Sequence, residues 1–146
     1  MDKQSSTLRQ LVKLDYDAIE AYDEAIKRIK DPVSKANLAD FRNDHALHTE
    51  NLGAVLRNMG EDVPEGPDLK RVLIEGKVRI ADLGGDRAIL HAMIANEKVT
   101  SEAYDEALKL DELDAAARQT LESNREDERR HKQWIEKRVE ELKATG

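Results

Sequence analysis

Two short spacings in this 146-residue chain carry ligand chemistry. Glu128-Arg129-Arg130-His131 sets a carboxylate and an imidazole three residues apart, and His45-Ala46-Leu47-His48 sets two imidazoles at the same interval. Residues three apart on an α-helix share a face, so each pair can turn two donor groups toward one point. Asp15 and Glu97 fall at corresponding places in two further segments. Carboxylate oxygens mixed with imidazole nitrogens suit a divalent transition metal. The chain has no Cys, which removes thiolate ligation, disulfides and a thiol nucleophile.

Four helices are needed to carry these groups, and the sequence supplies them. Helix 1 is expected over about 5–30, helix 2 over 33–59, helix 3 over 86–110 and helix 4 over 114–143, with a short helix over about 68–82. Asp31-Pro32 reads as an N-cap followed by a first helical residue, and Gly84-Gly85-Asp86 as a break with Asp86 placed to cap. Gly60–Pro67 is the one clear loop. The inner face of helix 1 runs Leu8, Leu11, Asp15, Ala18, Tyr22, Ala25 and Ile29; that of helix 2 runs Leu38, Phe41, His45, His48, Leu52, Val55 and Met59. Helix 3 gives Leu90, Met93, Glu97, Thr100, Tyr104 and Ala107, and helix 4 gives Ala117, Leu121, Asn124, Glu128, His131, Ile135 and Arg138. Each apolar stripe is thus interrupted by one or two ionisable groups. Buried charge is costly unless it is paired or bound to metal.

The interruptions fall at one level. Asp15 precedes the first turn by about as many residues as His45 and His48 follow it. Glu97 stands in the same relation to Glu128 and His131, so at about 1.5 Å per residue all six come to mid-bundle. The two halves also repeat. Glu20–Ile26 (EAYDEAI) matches Glu102–Leu108 (EAYDEAL), and the same offset carries Asp15 onto Glu97 and Tyr22 onto Tyr104. In the second helices Asp44-x-x-x-His48 matches Asp127-x-x-x-His131, which sets His45 against Glu128. The expected fold is one all-α domain over 1–146. It has two antiparallel helix pairs joined by a crossover at about 60–85.

Glu97 with Tyr104 seven residues on, Glu128-x-x-His131, and Asp15 with Tyr22 together resemble the ferritin-like superfamily of carboxylate-bridged di-metal bundles. The segment from Leu69 to Leu108 is similar to a bacterial branch of that superfamily. The resemblance implies a di-metal site, iron as the ion with manganese or zinc also suited to the donors, and oxidation of iron by O2 or peroxide. It implies Asp15, His45, His48, Glu97, Glu128 and His131 as the metal-ligating set. One position departs from the pattern. His45 stands where the family has the Glu that bridges both metals, and an imidazole cannot bridge as a carboxylate does. An asymmetric di-metal, a mononuclear and a vestigial site are all compatible with that change.

Other readings follow from composition. Charged residues make up 38% of the chain and aromatic residues 3%, which fits long amphipathic helices and not a β-sandwich or barrel. The net charge of -7 disfavours nucleic acid as a partner, and no apolar run is long enough to span a membrane. Met1–Ser6 is polar, so the expected location is the cytoplasm. Tyr22 and Tyr104 read as core aromatics or as hydrogen-bond partners of ligand carboxylates; Asn124 reads the same way. Glu20, Glu102 and His91 fall on solvated faces. Trp134 and Ile135 are adjacent and apolar, so one is expected to face the crossover or a partner chain, and a homodimer is an admissible assembly. The alternative function is an oligomerisation or partner-binding module whose polar core layer sets register.

Overall fold

The computed structural model describes residues 3–66 and 84–145. Four helices follow in order: α1 (Lys3–Arg28), α2 (Pro32–Asn58), α3 (Asp86–Leu108) and α4 (Ala115–Thr145). The architecture is the expected all-α bundle. Helix α1 packs on α2, α3 on α4, and α1 on α3, while α2 and α4 make the sparsest of the four interfaces. The short helix expected over about 68–82 lies outside the described residues. Among the described residues no helix is long and apolar enough to cross a membrane.

Side-chain pairs give the helix directions. Tyr22 meets Glu97 and Tyr104 meets Asp15, so α1 and α3 run antiparallel. His48 meets Asp127 and His131 meets Asp44, so α2 and α4 do too. The short turn after Arg28 reverses the chain between α1 and α2, so α2 and α3 point the same way, and the end of α2 and the start of α3 lie at opposite ends of the bundle.

The turns explain where the helices stop. Asp31 is the N-cap of α2, with Pro32 as its first residue; the Asp31 carboxylate accepts from Ser34 N–H at 3.1 Å and from Ser34 Oγ at 2.5 Å. Just past its C-cap Met59, helix α2 is closed off by Gly60, whose φ of 77° lies in the region glycine tolerates best. There Gly60 N–H bonds Arg57 C=O at 3.0 Å and Glu61 N–H bonds Leu56 C=O at 2.9 Å, a Schellman closure. Asp114, read from sequence as the first residue of the last helix, lies just outside it and caps it by accepting from Ala117 N–H at 2.8 Å.

Asp86 corrects a sequence expectation. It does not cap its own helix; Gly85 holds the N-cap position with φ 85° and no side-chain bond. The Asp86 carboxylate instead turns to the α1–α2 turn and accepts from Lys30 N–H at 2.9 Å and Asp31 N–H at 2.8 Å. Those two amides follow the last bond of α1, Ile29 N–H to Ala25 C=O, and a carboxylate is a strong acceptor for them. Arg138 of α4 reaches the same turn, donating to Asp31 from Nε at 3.0 Å and Nη2 at 2.8 Å. One turn thus ties α1 and α2 to the start of α3 and the end of α4.

The apolar core is in two parts. One end is built from Tyr22, Ala25, Ile29, Leu38, Phe41, Leu90, Met93, Ile135 and their neighbours. The other is built from Leu8, Leu11, Leu52, Leu56, Tyr104, Leu121 and theirs. Trp134, partly buried, packs edge-on to Phe41 at 5.7 Å between ring centres at the edge of the first part, while Ile135 is fully inside it. The ionisable layer lies between the two parts.

Replacing Asp86 with Ala leaves two backbone amides of the turn without their acceptor. We expect a loss of about 1–2 kcal/mol in urea unfolding, with helix content retained. A loss below about 0.5 kcal/mol would show that water satisfies the turn equally well.

Candidate metal centre

The structure brings all six sequence-predicted residues together. Asp15 comes from α1, His45 and His48 from α2, Glu97 from α3, and Glu128 and His131 from α4; each is at most 1% exposed. They form two overlapping groups, Asp15–His45–His48–Glu128 and His45–Glu97–Glu128–His131. Within each group one candidate ligand atom per residue lies within 4.8 Å of the others. Ligands sharing an ion at about 2.1 Å stand roughly 3–4 Å apart, so a small inward movement would close either group on a metal.

The layer is held by bonds exchanged between halves. Tyr22 on α1 donates to Glu97 Oε2 on α3, and Tyr104 on α3 donates to Asp15 Oδ2 on α1 at 2.6 Å. His48 Nε2 on α2 meets Asp127 on α4 at 2.9 Å, and His131 Nε2 on α4 meets Asp44 on α2 at 2.8 Å. Arg130 closes this outer side, donating to Asp44 at 2.7 Å and Asp127 at 3.1 Å. With Nε2 held outward, His48 and His131 turn Nδ1 inward. Phe41 stacks on the His131 ring at 4.3 Å between centres. Thr100 donates to Glu128 Oε2 at 2.8 Å, and Asn124 donates to the Tyr104 oxygen at 3.1 Å.

His45 lies across the middle. Its Nδ1 is 2.7 Å from Asp15 Oδ1 and its Nε2 is 2.9 Å from Glu97 Oε2. An ionised carboxylate only accepts, so both contacts are hydrogen bonds only when both ring nitrogens carry protons. Burial alone would lower the His45 pKa, but the charges of Glu128 and Glu97 and the bonds to Asp15 and Glu97 raise it well above its usual value. His48 is likewise pushed to about 11: burial opposes its charge, and its bonds to Asp127 and Asp15 with the nearby Glu128 outweigh burial. For Asp15 burial favours the neutral acid, yet the two imidazoles hold its pKa below the ordinary value. For Glu97 burial is again outweighed, chiefly by the His45 charge, and its pKa falls well below the usual range. Glu128 goes the other way, to about 8, because burial and the nearby Glu97 exceed the attraction of His45.

Three donor atoms stand apart. Among the described residues, no hydrogen-bond partner meets Glu97 Oε1, Glu128 Oε1 or His131 Nδ1, although all three are buried. His131 Nδ1 lies 3.3 Å from Glu97 Oε1. Glu128 Oε1 lies 3.5 Å from His45 Nδ1 and from His48 Nδ1. Buried acceptors are rarely left unmatched, and a cation within the layer would satisfy them.

Sequence reasoning underrated the outer carboxylates. Asp44 starts off the inner face, as its phase implies, and acts from there on His131; Asp127 does the same for His48. The signal for both was the Asp-x-x-x-His repeat. The tyrosines do bond carboxylates, but crosswise, each to the carboxylate of the other half and not to the one seven residues before it.

Fold and site together define an all-α bundle with a buried His/Asp/Glu layer able to hold a metal ion. The family model described as "Domain of unknown function (DUF2383)" matches residues 3–110, and the chain belongs to that family. The match takes in α1, α2 and α3 with Asp15, His45, His48 and Glu97; Glu128 and His131 lie beyond it. No curated protein and no solved structure matches the chain.

The shifts fix a pH dependence for the metal-free protein. His48 and Glu128 have folded-state pKa values above their ordinary 6.5 and 4.5, so what they contribute is fully present below those values. It drains as pH rises, through about 8 for Glu128 and about 11 for His48. Asp15 and Glu97 are depressed, so their contribution is lost as pH falls below their ordinary 3.8 and 4.5. Thermal unfolding in the presence of a chelator should peak between about pH 4.5 and 6.5 and fall steadily toward pH 10. A midpoint that is flat from pH 6 to 10 would contradict the imidazolium network.

Proposed function

We propose that the protein is a metal-binding four-helix bundle of the ferritin-like kind, with a divalent transition ion in its buried layer. Iron is the ion the resemblance names, and manganese or zinc suits the same donors. The observation that most supports this reading is that three buried atoms of the layer, Glu97 Oε1, Glu128 Oε1 and His131 Nδ1, have no hydrogen-bond partner among the described residues. A bound iron would supply one-electron redox chemistry toward O2 or peroxide, so iron handling or an oxidase or peroxidase role fits the site.

The chain's own residues would orient and insulate that ion. Asp44 and Asp127 fix the His131 and His48 rings with Nδ1 inward, the arrangement in which an outer carboxylate steadies a ligand imidazole. Tyr22, Tyr104 and Thr100 each occupy one oxygen of Glu97, Asp15 and Glu128, which sets how those carboxylates face. The two apolar parts of the core exclude water on either side. A layer that served only to set register would have its atoms matched, since an unmatched buried acceptor costs about 1–3 kcal/mol and specifies nothing.

Untagged protein loaded with Fe(II) without air, then desalted, should retain at least one ion per chain by elemental analysis. Glu97→Ala and His131→Ala should lose it while far-UV circular dichroism stays helical. Retention of no ion by the wild type, or equal retention by both variants, would sink the metal reading.

A further inference from the structure

The two halves of the layer are not equivalent, and the difference lies in which donor atoms are already used. In the Asp15 half both oxygens of Asp15 and the inward nitrogens of His45 and His48 have partners. Asp15 Oδ1 meets His45 Nδ1 at 2.7 Å and His48 Nδ1 at 3.1 Å, and Asp15 Oδ2 takes the Tyr104 hydroxyl. An ion there would have to break two imidazole–carboxylate bonds before it gained either imidazole as a ligand. In the Glu97 half, Glu97 Oε1 and His131 Nδ1 have no such bonds to break, and the one contact an ion would replace is that of His45 Nε2 with Glu97 Oε2. Glu128, which belongs to both groups, keeps Oε1 unbonded 3.5 Å from His45 Nδ1 and His48 Nδ1.

His45 decides the count. Its two nitrogens face opposite halves, Nδ1 to Asp15 and Nε2 toward Glu97. With Nδ1 on Asp15, Nε2 is the ring nitrogen that faces the Glu97 half, where an ion would take the place of its contact with Glu97. Asp15 would then do for His45 what Asp44 does for His131: it holds a ligand ring by its other nitrogen.

Resting on the metal-binding reading above, we infer that this chain holds a single divalent transition ion, ligated by His45, Glu97, Glu128 and His131, with Asp15 a positioning residue and His48 outside the ligand set. Two imidazoles and two carboxylates form a complete four-ligand site for cobalt, zinc, iron or manganese. A side chain at position 45 that serves both halves at once, as a bridging carboxylate would, is what a second ion lacks.

Co(II) titration of the untagged full chain tests this, read by ligand-field absorption and by metal content after desalting. We expect one tight Co(II) per chain. Glu97→Gln should weaken binding at least 100-fold. Asp15→Asn, which keeps an oxygen acceptor for His45, should weaken it about 10–100-fold with the stoichiometry and absorption bands of the wild type. Bands altered by Asp15→Asn would place Asp15 in the ligand set and overturn the inference. Anomalous diffraction from wild-type crystals grown with Co(II) gives a second test that needs no variant. One peak among Glu97, Glu128 and His131 supports the assignment; two peaks of equal height, or one between Asp15 and His48, overturn it and leave metal binding standing. No bound Co(II) at all overturns both.

Discussion

Everything in this bundle is arranged around ionisable groups placed where a helical core would ordinarily hold leucine. Asp15, His45, His48, Glu97, Glu128 and His131 are all removed from water. Isolated charges so placed would cost far more than the few kcal/mol that hold a domain of this size together. The cost is met by matching each group across a helix interface, so the pairing rules of the layer become the packing rules of the bundle. Helix α1 must face α3 so that the tyrosines reach the carboxylates, and α2 must face α4 so that the outer aspartates reach the imidazoles. The two apolar parts of the core lie on either side of this layer.

The exchange of partners has the form of a twofold relation. Asp15 and Tyr22 on α1 correspond to Glu97 and Tyr104 on α3, and each tyrosine bonds the other helix's carboxylate. Asp44 and His48 on α2 correspond to Asp127 and His131 on α4, and each aspartate bonds the other helix's imidazole. Antiparallel packing of two copies of one helix pair produces this pattern directly, because residues at equal heights swap partners about a central axis. Arg130 breaks the relation on the outside, and the pairing of His45 with Glu128 breaks it at the centre. The break at the centre is the one with chemical consequences.

Much of this was legible in the sequence, for a physical reason. A charged residue inside an apolar stripe of period 3.6 has few places to go, so Asp15, Glu97 and His131 announced themselves by phase alone. Helix ends at Asp31-Pro32 and Gly60 were legible because cap and left-handed positions restrict residue type. Phase does not show which group on a neighbouring helix a side chain will choose. Asp86 bonds the α1–α2 turn instead of its own helix, and Tyr22 bonds Glu97 instead of the nearer-in-sequence Asp15. Both choices depend on how the helices stand relative to one another. Asp44 and Asp127 lie on the edge of the inner face, where phase is ambiguous and only the repeat marks them.

The charge balance of the layer explains why an imidazole at position 45 leaves a bundle that can stand without an ion. Asp15 and Glu97 have depressed pKa values, which favours their charged forms, while Glu128 is raised to about 8, which favours its neutral form. His45 and His48, both raised, supply the opposing positive charges. Opposite charges are thus set against one another inside the layer. A glutamate at position 45 would remove one positive charge and add a negative one, and the imbalance would fall to bound cations to correct. The imidazolium does locally what an ion would do, linking Asp15 to Glu97 with two directed bonds. It stabilises the metal-free fold and also competes with the metal for the same carboxylates, so affinity and apo stability are opposed at this one residue.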